Sequence, residues 1–213
     1  MLLILGSGGH ASVLVDILYQ QKIKVDGLVS PEVIQQRKAL VGLSQYQDAD
    51  VLGFDKGKVT LINGIGSLPG CNLRRKLFNE YKALGYDFGR VIATSAIISP
   101  YAEIGMGVQI MSGAIIQAGA IVGDNTIVNT GAIIEHDCKI GAQNHIAPGV
   151  TLSGGVETAS NVHIGSGASI IQLIKIGENA VVGAGSTIVK DVADNIICFP
   201  ARITEKALEK HES

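Results

Sequence analysis

The residues best suited to chemistry are the consecutive Glu135, His136 and Asp137, with a second histidine, His145, a short way along the chain. An imidazole is the side chain that titrates near neutral pH. A neighbouring carboxylate can orient an imidazole and raise its basicity. The cluster therefore suits a general base, His136, with either Asp137 or Glu135 as the orienting group. A merely solvated surface histidine is the simpler alternative.

A six-residue repeat extends from residue 92 to residue 193 and determines where His136 lies. Of the seventeen residues that begin a block, sixteen are Ile, Val or Leu, and Thr158 is the exception. A period of six is a multiple of the strand period of two, so each block predicts a short strand followed by a turn. His136 is the third residue of its block, which places it in a turn, at an edge and outside the aliphatic column.

Hexapeptide repeats of this form resemble the left-handed β-helix family, in which three blocks make one triangular coil. Given three blocks per coil, a step of eighteen residues leads to the position directly above. That step places Gly154 over His136, and it stacks His163 on His145. A bare backbone amide beside a base is the pair that acyl transfer from a thioester to an amine requires, because the amide can stabilise the oxyanion.

The first ninety residues predict a small α/β sheet. We expect strands at 2–5, 24–30 and 59–64 and helices at 10–20 and 72–84. The loop Gly6-Ser7-Gly8-Gly9-His10-Ala11 has the form that lays a phosphate on a helix amino terminus. Three interpretations stay open: a nucleotide-sugar phosphate site, a purely structural turn, and a dinucleotide site. The last lacks the acidic residue expected after the second strand, where Val29 and Ser30 stand.

Composition narrows the classes of partner. The formal charge of −2 and pI near 6.2 argue against nucleic acid and anionic lipid. Three dispersed cysteines imply neither a disulfide framework nor a cysteine zinc site. We expect a cytoplasmic protein with no membrane insertion and no metal. The repeat supplies few charged residues to keep its flat faces solvated, so a homotrimer is expected.

Several motifs together resemble the bacterial sugar acetyltransferases, the group of sialic acid O-acetyltransferases and of UDP-4-amino-sugar N-acetyltransferases of bacillosamine synthesis. They are GSGGHA, the GIG of residues 64–66 with Asn-Leu-Arg-Arg-Lys at 72–76, IEHDC, NHIAPG and VGAGSTIVKDV. The likeness covers nearly the whole chain. It implies an α/β Rossmann-like nucleotide-sugar-binding domain at 1–90 and a left-handed β-helix domain that binds acetyl-CoA at 91–193. Because the six-residue period breaks after Val192, 194–213 is expected to be a C-terminal cap that contains a short helix.

The resemblance also implies roles by position. His136 is then the base and Asp137 its activating partner. The acetyl-CoA contacts are His145, Gly154, Ser166, Gly183, Ala184, Lys190 and Arg202, and the nucleotide-sugar contacts are Gly8, Gly9, His10, Ala11 and Gly66. Relatives commonly follow GIG with Asn-Asn, where this chain has Ser67-Leu68-Pro69-Gly70.

The expected activity is acetyl-CoA-dependent N-acetylation of the 4-amine of a UDP-linked 4-amino-4,6-dideoxy sugar, by direct transfer and without a covalent enzyme intermediate. Cys138, at a column-facing position, is expected to be buried and inert. O-acetylation of sialic acid is the near alternative. A zinc hydrase resembling the β-helix carbonic anhydrases, with His136, His145 and His163 from adjacent subunits, is an alternative of another class.

Overall fold

The computed structural model describes residues 1–31 and 37–200. Its amino-terminal part is a five-stranded parallel sheet in the order β3-β2-β1-β4-β5. The strands are β1 (Leu2–Leu5), β2 (Gly27–Val29), β3 (Ser44–Tyr46), β4 (Thr60–Asn63) and β5 (Asp87–Phe88). The helices are α1 (Gly9–Gln20), α2 (Asp48–Leu52) and α3 (Leu73–Ala83), with single 3-10 turns at Lys38–Leu40 and Lys56–Lys58.

The repeat forms a left-handed parallel β-helix, as predicted. Eighteen residues separate paired positions, as in Ile127 with His145 and His145 with His163, so three blocks make one coil. In each two-residue strand the second residue points into the column and the first points outward. The column is aliphatic and almost fully buried from Ile110 upward.

Three sheets form the faces of this prism. The docked face, which contacts the amino-terminal sheet, contains β6 (Val91–Ile92), β9 (Gln109–Ile110), β12 (Ile127–Val128), β15 (His145–Ile146), β18 (His163–Ile164), β21 (Val181–Val182) and β23 (Ile197–Cys198). The open face contains β7 (Ile97–Ile98), β10 (Ile115–Ile116), β13 (Ile133–Ile134), β16 (Thr151–Leu152), β19 (Ser169–Ile170) and β22 (Thr187–Ile188). The charged face contains β8 (Glu103–Ile104), β11 (Ile121–Val122), β14 (Lys139–Ile140), β17 (Glu157–Thr158) and β20 (Lys175–Ile176).

The two parts share one apolar cluster. Ala11, Leu14 and Leu18 of α1 pack with Met111 and Ile127 of the docked face. Burying an aliphatic side chain of this size contributes about 1.5–3 kcal/mol, so α1 fixes the amino-terminal sheet to the prism. The glycine loops that follow β1 and β4 are thereby held against the docked face.

The prism continues into the segment predicted as a cap. Strand β23 pairs with β21, but the offset from Val181 to Ile197 is sixteen residues, two fewer than in the coils below. The predicted helix and Arg202 fall in 201–213, outside the described residues.

Candidate active site

His136 and Asp137 form a hydrogen-bonded pair at the corner between the open and charged faces. His136 Nδ1 lies 2.8 Å from Asp137 Oδ2, and both side chains are largely exposed. A proton on Nδ1 that is donated to the carboxylate leaves the lone pair of Nε2 free. His136 is therefore arranged to accept a proton at Nε2.

Asp137, and not Glu135, is the orienting carboxylate in the structure. Among the described residues, Asp137 is the hydrogen-bond partner of the His136 imidazole. Asp137 has a φ of 59°, in the left-handed region where glycine or asparagine occupies most other corners of this prism. Holding an aspartate there costs backbone energy, a pattern that clusters at functional sites.

Two glycines make room for this pair, one coil below and one coil above. A Cβ on Gly154 would lie 2.6 Å from both Cε1 and Nε2 of His136, so glycine leaves room above the ring for this orientation. A Cβ on Gly119 would overlap Oδ1 of Asp137. Gly154 follows from the eighteen-residue step, whereas Gly119 was missed, although the same step down from Asp137 leads to it.

The Gly154 amide is available to a ligand. Its carbonyl accepts from the Leu173 amide at 3.1 Å, and the next amide, that of Gly155, donates to the His136 carbonyl at 2.9 Å. No hydrogen bond of the Gly154 N–H to a described residue is found. A rigid backbone donor beside a base can stabilise an oxyanion without reorganising.

Cys138 does not join this site. Its side chain is fully buried in the column, where Sγ lies 3.2 Å from the Ser153 carbonyl. Burial raises the pKa of the thiol, which disfavours the reactive thiolate.

The remaining predicted coenzyme contacts are divided between two corners. Lys190 is exposed and stands three coils above His136, because the strands before both turns stay in register. Ser166, Gly183 and Ala184 lie at a different corner, between the docked and open faces, where the Gly185 amide donates to the Ser166 carbonyl at 2.8 Å. One chain therefore does not bring all of these residues to one groove.

His145 and His163 lie on the docked face, away from the His136 corner. Their rings are 4.8 Å apart in an edge-to-face arrangement. Burial, with His163, His10 and Arg74 nearby, lowers the pKa of His145 to about 3. Burial also lowers the pKa of His163. Both imidazoles are neutral at neutral pH, so they can serve as hydrogen-bonding groups but not as cations.

The two glycine loops predicted to bind the nucleotide sugar lie side by side. Cβ positions on Gly64 and Gly66 would lie 3.0 and 3.6 Å from the Cβ atoms of Ala11 and His10. Gly8 ends the first loop at the amino terminus of α1 without a side-chain cap, and Gly9 follows it. Ala11 is fully buried, so its methyl packs the two loops together. His10 Nε2 donates to Gln109 Oε1 at 2.7 Å, and burial lowers the pKa of His10 to about 4.

Arg37 is a residue that sequence reasoning missed at this site. A Cβ on Gly9 would lie 3.6 Å from Arg37 Nη1, so the guanidinium stands beside the amino terminus of α1. Amides at a helix amino terminus and a guanidinium both favour an anion. Nothing in the spacing of Arg37 and Gly9 predicts their contact.

A polar plug inside the column was also missed. Asn144 is buried and donates to Thr158 Oγ1 at 2.6 Å, and it accepts from the Val162 amide at 2.6 Å. Thr158, the exception in the repeat, is thus the partner of an interior asparagine. The plug fixes the turn that precedes His145, because every polar atom involved is paired.

A cavity of about 350 Å³ opens beside His163. Its walls are formed by side chains of the prism, by the loop after Gly66 and by the start of α3, and they include Ser67, Leu68, Asn72, Arg75, Gln143, Asn161 and His163. In the described part of the chain, no three His, Cys, Asp or Glu side chains converge on a point that could hold a metal ion. Of the described helices, none has the length and hydrophobicity to cross a bilayer.

Comparison with known proteins agrees with this geometry. The family model described as bacterial transferase hexapeptide (six repeats) matches residues 119–154, which include His136, Asp137 and Gly154. A histidine-to-asparagine variant of perosamine N-acetyltransferase from Caulobacter crescentus, solved with CoA and GDP-perosamine, is 30% identical with a TM-score of 0.83. The alignment covers 96% of this chain and 97% of that one. The chain belongs to the hexapeptide-repeat sugar acetyltransferases.

Another solved member is the acetyltransferase domain of PglB from Neisseria gonorrhoeae, with 29% identity, a TM-score of 0.81 and coverage of 92% of this chain and 94% of that one. The same domain has been solved with acetyl coenzyme A. WeeI from Acinetobacter baumannii, at 20% identity and a TM-score of 0.74 over 92% of this chain and 95% of that one, shares the fold. No curated protein sequence matches this sugar acetyltransferase.

Proposed function

We propose that the protein transfers the acetyl group of acetyl-CoA to the 4-amine of a UDP-linked 4-amino-4,6-dideoxy sugar. The observation that carries the reaction class is the His136–Asp137 pair beneath a glycine amide that has no hydrogen-bond acceptor among residues 1–31 and 37–200. A nucleotide-linked amino sugar is the acceptor class supported by the relative that holds GDP-perosamine. The uridine base and the 4,6-dideoxy sugar rest on the sequence resemblance.

The transfer follows from the positions of these groups. His136 Nε2 removes a proton from the sugar amine as its nitrogen bonds to the thioester carbon. The Gly154 amide donates to the carbonyl oxygen while that oxygen carries the negative charge. Asp137 stabilises the imidazolium through Nδ1. When the carbon–sulfur bond breaks, the imidazolium returns the proton to the departing thiolate.

We further propose that the working site forms between copies of the chain in a homotrimer. His136 stands at the corner between the open and charged faces, whereas the glycine loops, His10 and His145 lie against the docked face. A sugar held by the loops therefore meets the His136 of a neighbouring copy. The same assembly would join Ser166, Gly183 and Ala184 of one copy with Gly154 and Lys190 of another.

The open face is the surface that supports this assembly. Its outward residues carry no charge and are Ile97, Ile115, Ile133, Thr151, Ser169 and Thr187. The charged face instead carries a ladder in which Glu157 lies 3.3 Å from both Lys139 and Lys175. A face that carries no charge, with isoleucine at three neighbouring outward positions, is the one expected to bury itself against a second copy.

A matched pair of substitutions tests the trimer. Ile115→Lys places a charge on the open face, and Ile121→Lys places the same charge at the equivalent outward position of the charged face. We expect Ile115→Lys to yield monomer in analytical ultracentrifugation and to lose activity, and Ile121→Lys to stay trimeric. A monomeric unmodified protein would contradict the proposal.

The acceptor is tested by mixing the protein with acetyl-CoA and a panel of acceptors while following thiol release. The panel holds UDP- and GDP-linked 4-amino sugars, the same sugars without nucleotide, and sialic acid. We expect turnover with a UDP-linked 4-amino sugar and an amide in the product. A preference for the GDP-linked sugar would correct the nucleotide, and turnover of sialic acid alone would favour O-acetylation.

The alternative function, a zinc hydrase, needs His136, His145 and His163 from adjacent copies of the chain. Two of these histidines, His145 and His163, lie together in one chain. Metal analysis of the purified trimer separates the two functions. Stoichiometric zinc with carbon dioxide hydration would favour the hydrase, whereas acetyl transfer that persists after chelation supports the transferase.

A further inference from the structure

Arg74, near the start of α3, is a buried cation between the amino-terminal sheet and the prism. Its side chain is 5% exposed. Nη1 donates to the carbonyls of Asn63 at 2.8 Å and Ile65 at 2.7 Å. Nε and Nη2 both donate to the carbonyl of Asn125, at 3.3 and 3.1 Å. Among the described residues the guanidinium has no carboxylate partner. It donates all of these hydrogen bonds to three backbone carbonyl oxygens.

These three oxygens come from two separate parts of the molecule, the end of β4 with the loop that follows it and one corner of the prism. Asn63 ends β4, Ile65 is the middle of the Gly64-Ile65-Gly66 loop, and Asn125 forms a corner of the prism. A planar guanidinium with five donors can join three such acceptors at once, whereas an ammonium is a point charge without a fixed fork. Arg74 is therefore a clamp that ties the glycine loop to one corner of the prism.

Neighbouring amides reinforce the clamp. Asn63 Nδ2 donates to the Arg74 carbonyl at 3.0 Å and to Asn125 Oδ1 at 3.2 Å. Gln109 Nε2 donates to the Asn63 carbonyl at 2.7 Å while its Oε1 contacts His10. Both glycine loops are thus connected to the prism by one continuous set of buried and half-buried hydrogen bonds. Fully paired buried networks of this kind are rigid.

The clamp also fixes a height along the prism. Asn125 is the corner that leads into β12, and His136 follows β13, the next strand of the same coil. If copies assemble around an axis parallel to the prism, a sugar held by the loop of one copy stands at the level of His136 in the next. Attack requires the reacting atoms to be about 3–3.5 Å apart, and an error near 1 Å can cost about a hundredfold in rate.

We propose that Arg74 is a positioning residue that sets the level at which the acceptor amine is presented to the His136 of a neighbouring copy. It acts through the loop at 64–66 and touches no substrate. This role rests on the proposed function, because it presumes an acceptor on the glycine loops and a base on another copy.

The main test is Arg74→Lys, which keeps a cation and removes the fork. The matched control is Lys76→Met, at an exposed position two residues along the same helix. We expect Arg74→Lys to lower kcat by about tenfold or more while the KM for acetyl-CoA changes less than about twofold. Hydrogen exchange at the amides of 64–66 should accelerate in Arg74→Lys only. The control should behave like the unmodified protein in both measurements.

Two further variants keep the test decisive if Arg74→Lys folds poorly. Asn125→Gly keeps the turn and the carbonyl but removes the side-chain bond to Asn63, and glycine already occupies other corners of this prism. We expect a smaller loss of kcat, about threefold. In Arg74→Ala, millimolar guanidinium should restore part of kcat, because it can occupy the place of the lost side chain and donate to the same carbonyls.

The outcomes separate the two proposals. No acetyl transfer by the unmodified protein would contradict the proposed function, and this role with it. Transfer by the unmodified protein, with unchanged kcat in folded Arg74→Lys and Asn125→Gly, would contradict the positioning role alone.

Discussion

Two corners of one prism, built from the same repeat, have opposite environments. At the corner that carries His136, the side chains of His136 and Asp137 are 66% and 73% exposed. At the corner that carries Asn125, the guanidinium of Arg74 and the amide of Asn125 are buried. The difference shows that the repeat supplies only the backbone of a corner. What packs on a corner decides whether its side chains are open to solvent and ligands or are fixed in buried hydrogen bonds.

The charges follow the same division. The His136–Asp137 pair faces solvent, where a proton can enter and leave. Around Arg74 the imidazoles of His10 and His145 have pKa values lowered to about 4 and about 3, with burial as the main cause and the buried cation as a further one. The general base is therefore expected at the His136 corner. The histidines near Arg74 do not take up a proton in the physiological pH range, because their pKa values lie far below it.

The largest expected effect concerns the exposed corner. His136→Ala should lower kcat by about a hundredfold to ten-thousandfold with little change in either KM, because it removes the proton acceptor without removing binding contacts. His145→Ala is the matching substitution on the buried docked face, and it should change the KM for acetyl-CoA more than kcat. Initial rates with both substrates varied give kcat and both KM values, and circular dichroism shows whether each variant is folded. Equal losses of kcat would erase the distinction between the two histidines.

A second prediction concerns the glycine above the base. Gly154→Ala brings a methyl within 2.6 Å of Cε1 and Nε2 of His136, so the ring must turn away from its working position. We expect kcat to fall about a hundredfold with a small change in melting temperature, since an exposed ring can move. In the His136→Ala background, the same substitution should cost much less activity. Additive losses in this double-mutant cycle would mean that Gly154 does not act through His136.

How far the sequence predicts each corner depends on how local its contacts are. The register of eighteen residues alone predicts that Gly154 lies against His136, and the structure confirms this contact. The Arg74 corner joins residues that are distant in sequence, such as Asn63, Arg74 and Asn125. No period relates them, because the contact arises from the docking of one fold on another.

The fold shows the same limit. The aliphatic first position of each block predicted the prism and its strands. In the amino-terminal sheet, β3 (Ser44–Tyr46) and β5 (Asp87–Phe88) were missed, since strands of three and two residues carry too little alternation to be read. The last coil, shortened to sixteen residues at β23, also escapes a search for a fixed period.

A third prediction separates the two carboxylates beside the base. Asp137→Asn keeps an acceptor for Nδ1 and suits the left-handed turn, since asparagine occupies the same position at Asn125 and Asn161. It removes the charge that stabilises the imidazolium, so we expect kcat to fall about tenfold and the acidic limb of its pH profile to move to lower pH. Glu135→Gln is the matched control and should leave both unchanged. The opposite pattern would make Glu135 the orienting residue.

The smallest expected effect concerns the buried His145 and the pH dependence of the free energy of unfolding. His145 has a pKa near 3 in the folded protein, below the ordinary value of 6.5 that the unfolded chain restores. Between these values the unfolded chain binds the extra proton, so stability is full above pH 6.5 and falls as the pH drops toward 3. His145→Gln should therefore flatten the decrease in urea midpoint between pH 7 and pH 5. An identical pH slope in the unmodified protein and in His145→Gln would show that burial on the docked face does not govern His145, and the contrast between the two environments would then rest on geometry alone.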